Sequence, residues 1–314
     1  MITKFSLRIF IILFTGAVSF LQLSNLKAQN APTTAEIVDS LFVRASSGEV
    51  KYRDLVEPSK KALIEMGESA VSQMLTKLGT HDAREMHTIV DIFKGIGEVA
   101  VDSLVTMLDS EDGFTRRLSI RCLGEIKSLR AVEPLLKLAG HDDFRTRAGI
   151  MTALGKIASP DAALTVMKGL NDDDELVATA AAVACGNIKK DIDSGVLIIA
   201  LSHPYYGVRY SACRSLIELG DIAIEPLISY VKSGPGDISK GYAIEALGGI
   251  GSTRALNIFK ETIKSDDWAI RAFTAEALGK IKKSEKVLRK ALKDETHPFV
   301  ISKIRASMVK IDED

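Results

Sequence analysis

Carboxylates are plentiful in this chain, but histidine and cysteine, which carry much of acid–base and metal chemistry, are few and widely spread. Of its five histidines, His81, His141, His203 and His297 fall in polar stretches that read as turns. Three cysteines, Cys122, Cys185 and Cys213, all lie in apolar helical stretches. An odd count is not a disulfide framework, and buried cysteine acts as a small hydrophobe. The acidic run Asp172-Asp173-Asp174-Glu175 is of a type that ligates calcium. It lacks the D-x-[DN]-x-[DN]-G spacing of a calcium loop and reads instead as a turn that caps the next helix. The sequence holds no G-x-S-x-G, no C-x-x-C and no Gly-rich phosphate loop.

Whether the histidines can meet depends on the elements that carry them. Leu123-Gly124-Glu125-Ile126 recurs as Leu154-Gly155-Lys156-Ile157, Cys185-Gly186-Asn187-Ile188, Leu216-Ile217-Glu218-Leu219, Leu247-Gly248-Gly249-Ile250 and Leu278-Gly279-Lys280-Ile281. Weaker copies end at Met66, Ile96 and Ile311. The final residues of all nine copies are spaced by 30 or 31 throughout. Each repeat holds two helical patterns, such as Leu129–Ala139 and Phe144–Ile157, separated by Gly140-His141-Asp142-Asp143. A two-helix hairpin cannot bury its apolar side alone, so neighbours must stack. Stacked helices sit about 8–10 Å apart, whereas zinc ligands must each reach within about 2 Å of one ion. His81 and His141 are two repeats apart, which excludes a shared site.

The same ruler assigns other roles. Asp82, Asp112, Asp143, Asp174 and Asp267 each stand fourteen residues before the anchor, where a carboxylate caps the second helix. Four residues further on come Arg116, Arg147, Arg209, Lys240 and Arg271. That spacing predicts the pairs Asp112–Arg116, Asp143–Arg147 and Asp267–Arg271. Ala178 breaks the basic row, and Tyr205 and Gly236 break the acidic one. The glycine two before Ile126, Ile157, Ile188, Ile250 and Ile281 is expected to admit close helix approach.

The Val208-Arg209…Leu216 and Ile270-Arg271…Ala277-Leu278-Gly279-Lys280-Ile281 patterns, with Glu-Pro-Leu at 133–135 and 225–227, resemble HEAT repeats of the short phycobilisome-lyase-like subtype. The resemblance covers residues 50–314 and implies an all-α solenoid of stacked hairpins of about 31 residues. It also implies a protein-binding scaffold. Two kinds of enzyme share the repeat. Deoxyhypusine hydroxylase holds iron through His-Glu pairs, and no such dipeptide occurs here. Bilin lyases and isomerases make a lyase or isomerase acting on a protein-linked cofactor the alternative reading. No cofactor is expected.

Composition and termini complete the organisation. The 314 residues are 46% hydrophobic and 26% charged, which suits a folded chain and excludes a disordered one. Residues 1–28, with Lys4, Arg8 and the apolar run Ile9–Leu23, read as a cleavable signal peptide ending at Ala28. The run is shorter than the ~20 residues of a spanning helix. Removal turns a balance of 41 basic and 41 acidic groups into 38 against 41. That gives no basic excess for nucleic acid. The protein is therefore expected to be exported, periplasmic or secreted, without stable membrane insertion. Residues 29–49 form a linker with a capping helix over 34–47, and 50–314 the repeat array. Trp268 is expected to pack between repeats, and a longer turn is expected at Ser233–Gly236.

Second helices of such arrays line the concave side, where partners bind. Positions five and nine before the anchor should face outward there. They run from basic Arg117 and Arg121 through Tyr210 and Arg214 to acidic Glu245 and Glu276. With Tyr205, Tyr206 and Tyr242 these form the expected patch for a protein partner, since Tyr and Arg are enriched at binding hot spots.

Overall fold

A computed structural model describes residues 32–234, 238–281 and 284–313, with side chains to Val309. The signal-peptide reading over 1–28 and Pro235 and Gly236 of the expected turn at 233–236 lie outside the described residues. Among the described residues there is no strand, and no helix is long and apolar enough to cross a membrane.

The chain forms two compact units, Met1–Lys77 and Leu78–Asp314. In the first, α1 (Thr34–Ser46) coincides with the expected capping helix. Thr33 and Glu36 start it with a reciprocal capping box. A 3-10 stretch at Val50–Leu55 leads into α2 (Val56–Glu65) and α3 (Glu68–Leu75). Val38, Phe42, Leu63, Val71 and Met74 form its buried centre.

The second unit opens with α4 (Ala83–Ile96). Seven hairpins follow among the described residues. Their first helices are α5 (Val101–Thr106), α7 (Val132–Lys137), α9 (Ala163–Gly169), α11 (Ser194–Ala200), α13 (Asp221–Ser233), α15 (Leu256–Thr262) and α17 (Glu285–Asp294). Their second helices are α6 (Gly113–Ile126), α8 (Phe144–Ile157), α10 (Glu175–Ile188), α12 (Tyr206–Leu219), α14 (Ile238–Ile250), α16 (Trp268–Leu278) and α18 (Pro298–Glu313). Successive second helices pack on one another from α4 to α18. Each of Ile120, Leu123, Leu135, Ile150 and Leu154 is fully buried.

The expected caps form. Asp82, Asp112, Asp143, Asp174 and Asp267 each accept backbone N–H bonds at the start of a second helix. The bonds from the Glu85 and Arg84 amides hold the Asp82 carboxyl below the usual carboxylate range. First helices carry their own cap, from Ser128, Ser159 and Ser252.

The glycines also act as expected. A Cβ built on Gly155 would lie 2.8 Å from Cα of Ala184 in the next second helix. Gly124 faces Ala153, Gly186 faces Ser215, Gly248 faces Ala277 and Gly279 faces Ser307 in the same register. Ile217 takes the glycine's place in α12. The room is restored one residue later in the next helix, where a Cβ on Gly249 would sit 2.4 Å from Ile217 Cδ1.

The expected Asp–Arg pairs within one helix do not form. The cap carboxylates are already engaged by backbone amides, and side chains near a helix start point back over the preceding turn. Arg147 therefore donates to the His141 and Asp142 carbonyls, both at 2.9 Å, and bidentately to Asp172 of the next hairpin, at 2.8 and 2.9 Å. Arg271 repeats this with the Ser265 and Asp266 carbonyls and Glu295. Arg116 donates to the Ser110 carbonyl and to Thr146 Oγ1. The arginines thus staple neighbouring hairpins together.

Candidate partner-binding face

The histidines serve the turns in which they sit. His141 Nδ1 accepts from the Asp143 amide at 2.9 Å, and His203 Nδ1 from the Tyr205 amide at 3.2 Å. His81 packs on Phe114, ring centroids 3.9 Å apart, and His297 stacks on Trp268 at 4.7 Å. Asp172 is committed to Arg147, and Asp174 caps α10. Among the described residues no group of three or more His, Cys, Asp or Glu is placed to hold a metal ion. Cys122, Cys185 and Cys213 are buried and free. Burial raises all three thiols, those of Cys185 and Cys213 to about 12, so they stay protonated and unreactive at neutral pH.

The row five before the anchor does face solvent. Arg121, Thr152, Val183, Arg214 and Glu276 are exposed and Glu245 is half-buried. At the basic end, Arg117 and Arg121 line a cleft of about 370 Å³ between α6 and α8, with Lys156 on its edge. Arg117 pairs with the cap Asp143 at 3.0 Å, and Arg121 Nη2 lies 3.2 Å from His87 Nδ1. At the other end Glu276 pairs with Lys303 of the next hairpin.

Tyr205, Tyr206, Tyr210 and Arg214 are all exposed on or beside α12. Tyr206 and Tyr210 stack, with ring centroids 6.0 Å apart. Tyr242 does not belong with them. It is 7% exposed and lies within the packed face of α14. Its register, eight before the anchor, is that of the buried Leu118 and Ser211. One residue's difference in register turns a side chain from surface to core.

The structure adds a feature that the ruler passed over. The first or second residue of each second helix from α6 onward is large and apolar or aromatic: Phe114, Phe144, Leu176, Tyr206, Ile238, Trp268 and Phe299. All are exposed except the half-buried Phe144; Tyr206 is 62% and Trp268 47% exposed. Cations lie over several of these rings: Arg117 over Phe114, Arg145 over Phe144, Arg209 over Tyr206 and Lys303 over Phe299, at 4.7–5.9 Å. Trp268 does pack against the next hairpin, edge-on to Phe299 at 5.7 Å as well as on His297, but it does so outside the core. With Phe273 and Phe299 it lines a cleft of about 270 Å³ closed by Glu276 and Lys303. These residues stand alternately twelve and thirteen before the anchor from one hairpin to the next, so a fixed spacing never captures the ridge. The signal was a bulky residue within two of every cap.

A stack of two-helix hairpins with regular helix-to-helix spacing defines an α-solenoid. The pattern of HEAT repeats matches residues 101–186 and 224–308, more than half of the sequence, and the chain belongs to that family. Among solved structures it is similar to importin beta, at 16% identity and TM-score 0.53, over 88% of this chain and 41% of that one. It is also similar to Kap121p, at 14% identity and TM-score 0.53, over 81% of this chain and 34% of that one. The complex of CpcE and CpcF of phycocyanin lyase from Nostoc aligns at 18% identity and TM-score 0.40, over 77% and 94% of the two chains. No curated protein sequence matches this one.

Proposed function

We propose that this chain is an exported scaffold that performs no chemistry itself and binds a protein partner along its second-helix face. The observation that carries this reading is the ridge of exposed rings and aliphatic side chains at the starts of consecutive second helices, overlain by arginine and lysine. Monomeric soluble proteins rarely leave contiguous apolar surface uncovered. Aromatic and arginine side chains are the ones that dominate binding energy. The clefts at Arg117 and Arg121 and at Trp268 and Phe299 supply one basic and one apolar pocket for a partner's side chains. The tyrosine cluster at Tyr206, Tyr210 and Arg214 is a third contact region.

Capture from the native envelope fraction tests the reading. Wild-type protein is expected to retain a discrete polypeptide. Tyr210→Ala with Arg214→Ala, or Trp268→Ala with Phe299→Ala, is expected to weaken retention at least ~10-fold with helical content unchanged. Equal retention by both double variants rejects the face. Stoichiometric uptake of a chromophore would replace the scaffold by the lyase or isomerase alternative. Export is tested separately by N-terminal sequencing of the native protein. The mature chain is expected to begin at Gln29 or Asn30, and an intact Met1 end in the cytosolic fraction would overturn it.

A further inference from the structure

Charges on neighbouring hairpins meet with opposite sign along most of the stack. Glu125 bridges Lys94 and Lys156, Arg130 meets Asp102, Lys189 meets Glu218 and Arg254 meets Glu225. The join between α15 and α17 departs from this rule. Lys260 and Lys264 stand four apart at the end of α15, and Lys286 and Lys290 stand four apart on α17. All four line one cleft of about 500 Å³. Like charges at this spacing repel. The ammonium groups of Lys264, Lys286 and Lys290 make no ion pair or hydrogen bond among the described residues, and that of Lys260 reaches only Asn257 Oδ1 at 3.4 Å.

The cleft's surroundings do not neutralise these lysines. Glu295 lies at its edge, but both its oxygens are taken by Arg271 at 2.7 and 3.0 Å. Asp266 and Asp294 remain, two carboxylates against four ammonium groups. The apolar part of the lining is Ile263, Val287 and Ala291. The volume falls in the range of small-molecule sites, about 300–1,000 Å³. We propose that this cleft binds a small organic anion, with an apolar body against Ile263, Val287 and Ala291 and its carboxylate, sulfonate or phosphate groups among the four lysines. This site is independent of the partner-binding face and stands whether or not a protein partner exists.

The probe is 8-anilinonaphthalene-1-sulfonate, titrated by fluorescence into the full-length native protein, beside its uncharged relative N-phenyl-1-naphthylamine. The expected result is saturable sulfonate binding near one equivalent, weakening as salt rises, with the neutral relative binding at least ~10-fold more weakly. Lys264→Glu with Lys290→Glu is expected to weaken sulfonate binding at least ~10-fold. Lys264→Gln with Lys290→Gln, which keeps side-chain length and spares the fold, should lower it in the same direction. Trp268→Ala should leave it unchanged, separating the cleft from the aromatic ridge. Circular dichroism confirms that each variant is folded. Absence of saturable binding, equal binding of the neutral relative, or equal binding by the Gln double variant overturns the proposal.

Discussion

Hairpin α7–α8 obeys every rule of the repeat and α9–α10 all but one, Ala178 standing where the basic residue belongs, while α11–α12 and its neighbour α14 break several. In the regular pair, Asp143 and Asp174 cap the second helices, Arg147 grips Asp172, and Gly155 meets Ala184. In the irregular one, Tyr205 occupies the cap position and makes no side-chain cap bond. Arg209 still donates to the His203 and Pro204 carbonyls. Its Nε is buried and has no partner among the described residues. Ile217 replaces the packing glycine. The helix that gives up these stabilising devices is the one that displays Tyr205, Tyr206 and Tyr210. Folds commonly break local rules where surface residues are kept for recognition, and the tyrosine cluster fits that pattern.

Changes in the regular region should cost most. Leu154 is fully buried, so Leu154→Ala is expected to lose about 2–5 kcal/mol in urea denaturation. A loss under ~1 kcal/mol would mean that this face is not core. Gly155→Ala is expected to cost about 1–3 kcal/mol because the new methyl meets backbone, even though alanine favours helix. In the irregular region the equivalent constraint is shared. Gly249→Ala should destabilise the wild type more than it destabilises an Ile217→Gly background, and a double-mutant cycle in urea reads the coupling directly.

Glu295→Gln makes Arg271 resemble the partly satisfied Arg209. Arg271 beside it, with the His297 amide, holds the Glu295 carboxyl at about 2, below its ordinary 4.5. A depressed folded-state value means stability that is complete above pH 4.5 and lost as pH falls toward 2. The variant should be less stable by on the order of 2 kcal/mol at pH 7, and the gap between the two urea midpoints should close by pH 2. A gap independent of pH would show that the ion pair is not its source.

Two smaller gains run the other way. Tyr205→Asp restores the missing cap and should add about 1 kcal/mol, seen as a higher melting temperature. Ala158, which ends α8 at φ 57°, holds a left-handed conformation that alanine resists. Ala158→Gly should gain about 0.5–1 kcal/mol. No gain at either position would mean that the local geometry is not what limits stability there.

What could be read in advance was whatever a fixed spacing carries. The 31-residue period, the second helix Phe144–Ile157, the aspartate caps and the close-approach glycines all stand at a fixed distance from the anchor of their own repeat. Tyr242 was misplaced because one position of register separates the outward row from the core. The arginine staples were misassigned because their partners, Asp172 for Arg147 and Glu295 for Arg271, lie in the next hairpin's turn. No spacing within a helix encodes that choice. The ridge from Phe114 to Phe299 alternates between two distances from the anchor and so breaks any single-column reading. The lysine cleft needs two hairpins side by side before its charges converge.

Site-specific photocrosslinking in the native compartment tests the partner-binding claim most directly. A benzophenone side chain is placed in turn at Val183 and Tyr210 on second helices, and at Leu164 and Ile199 on first helices, all four being exposed. Crosslinks from Val183 and Tyr210 to one common polypeptide, with none from Leu164 or Ile199, are the expected result. Crosslinks confined to Leu164 and Ile199, or none at any of the four, would contradict it.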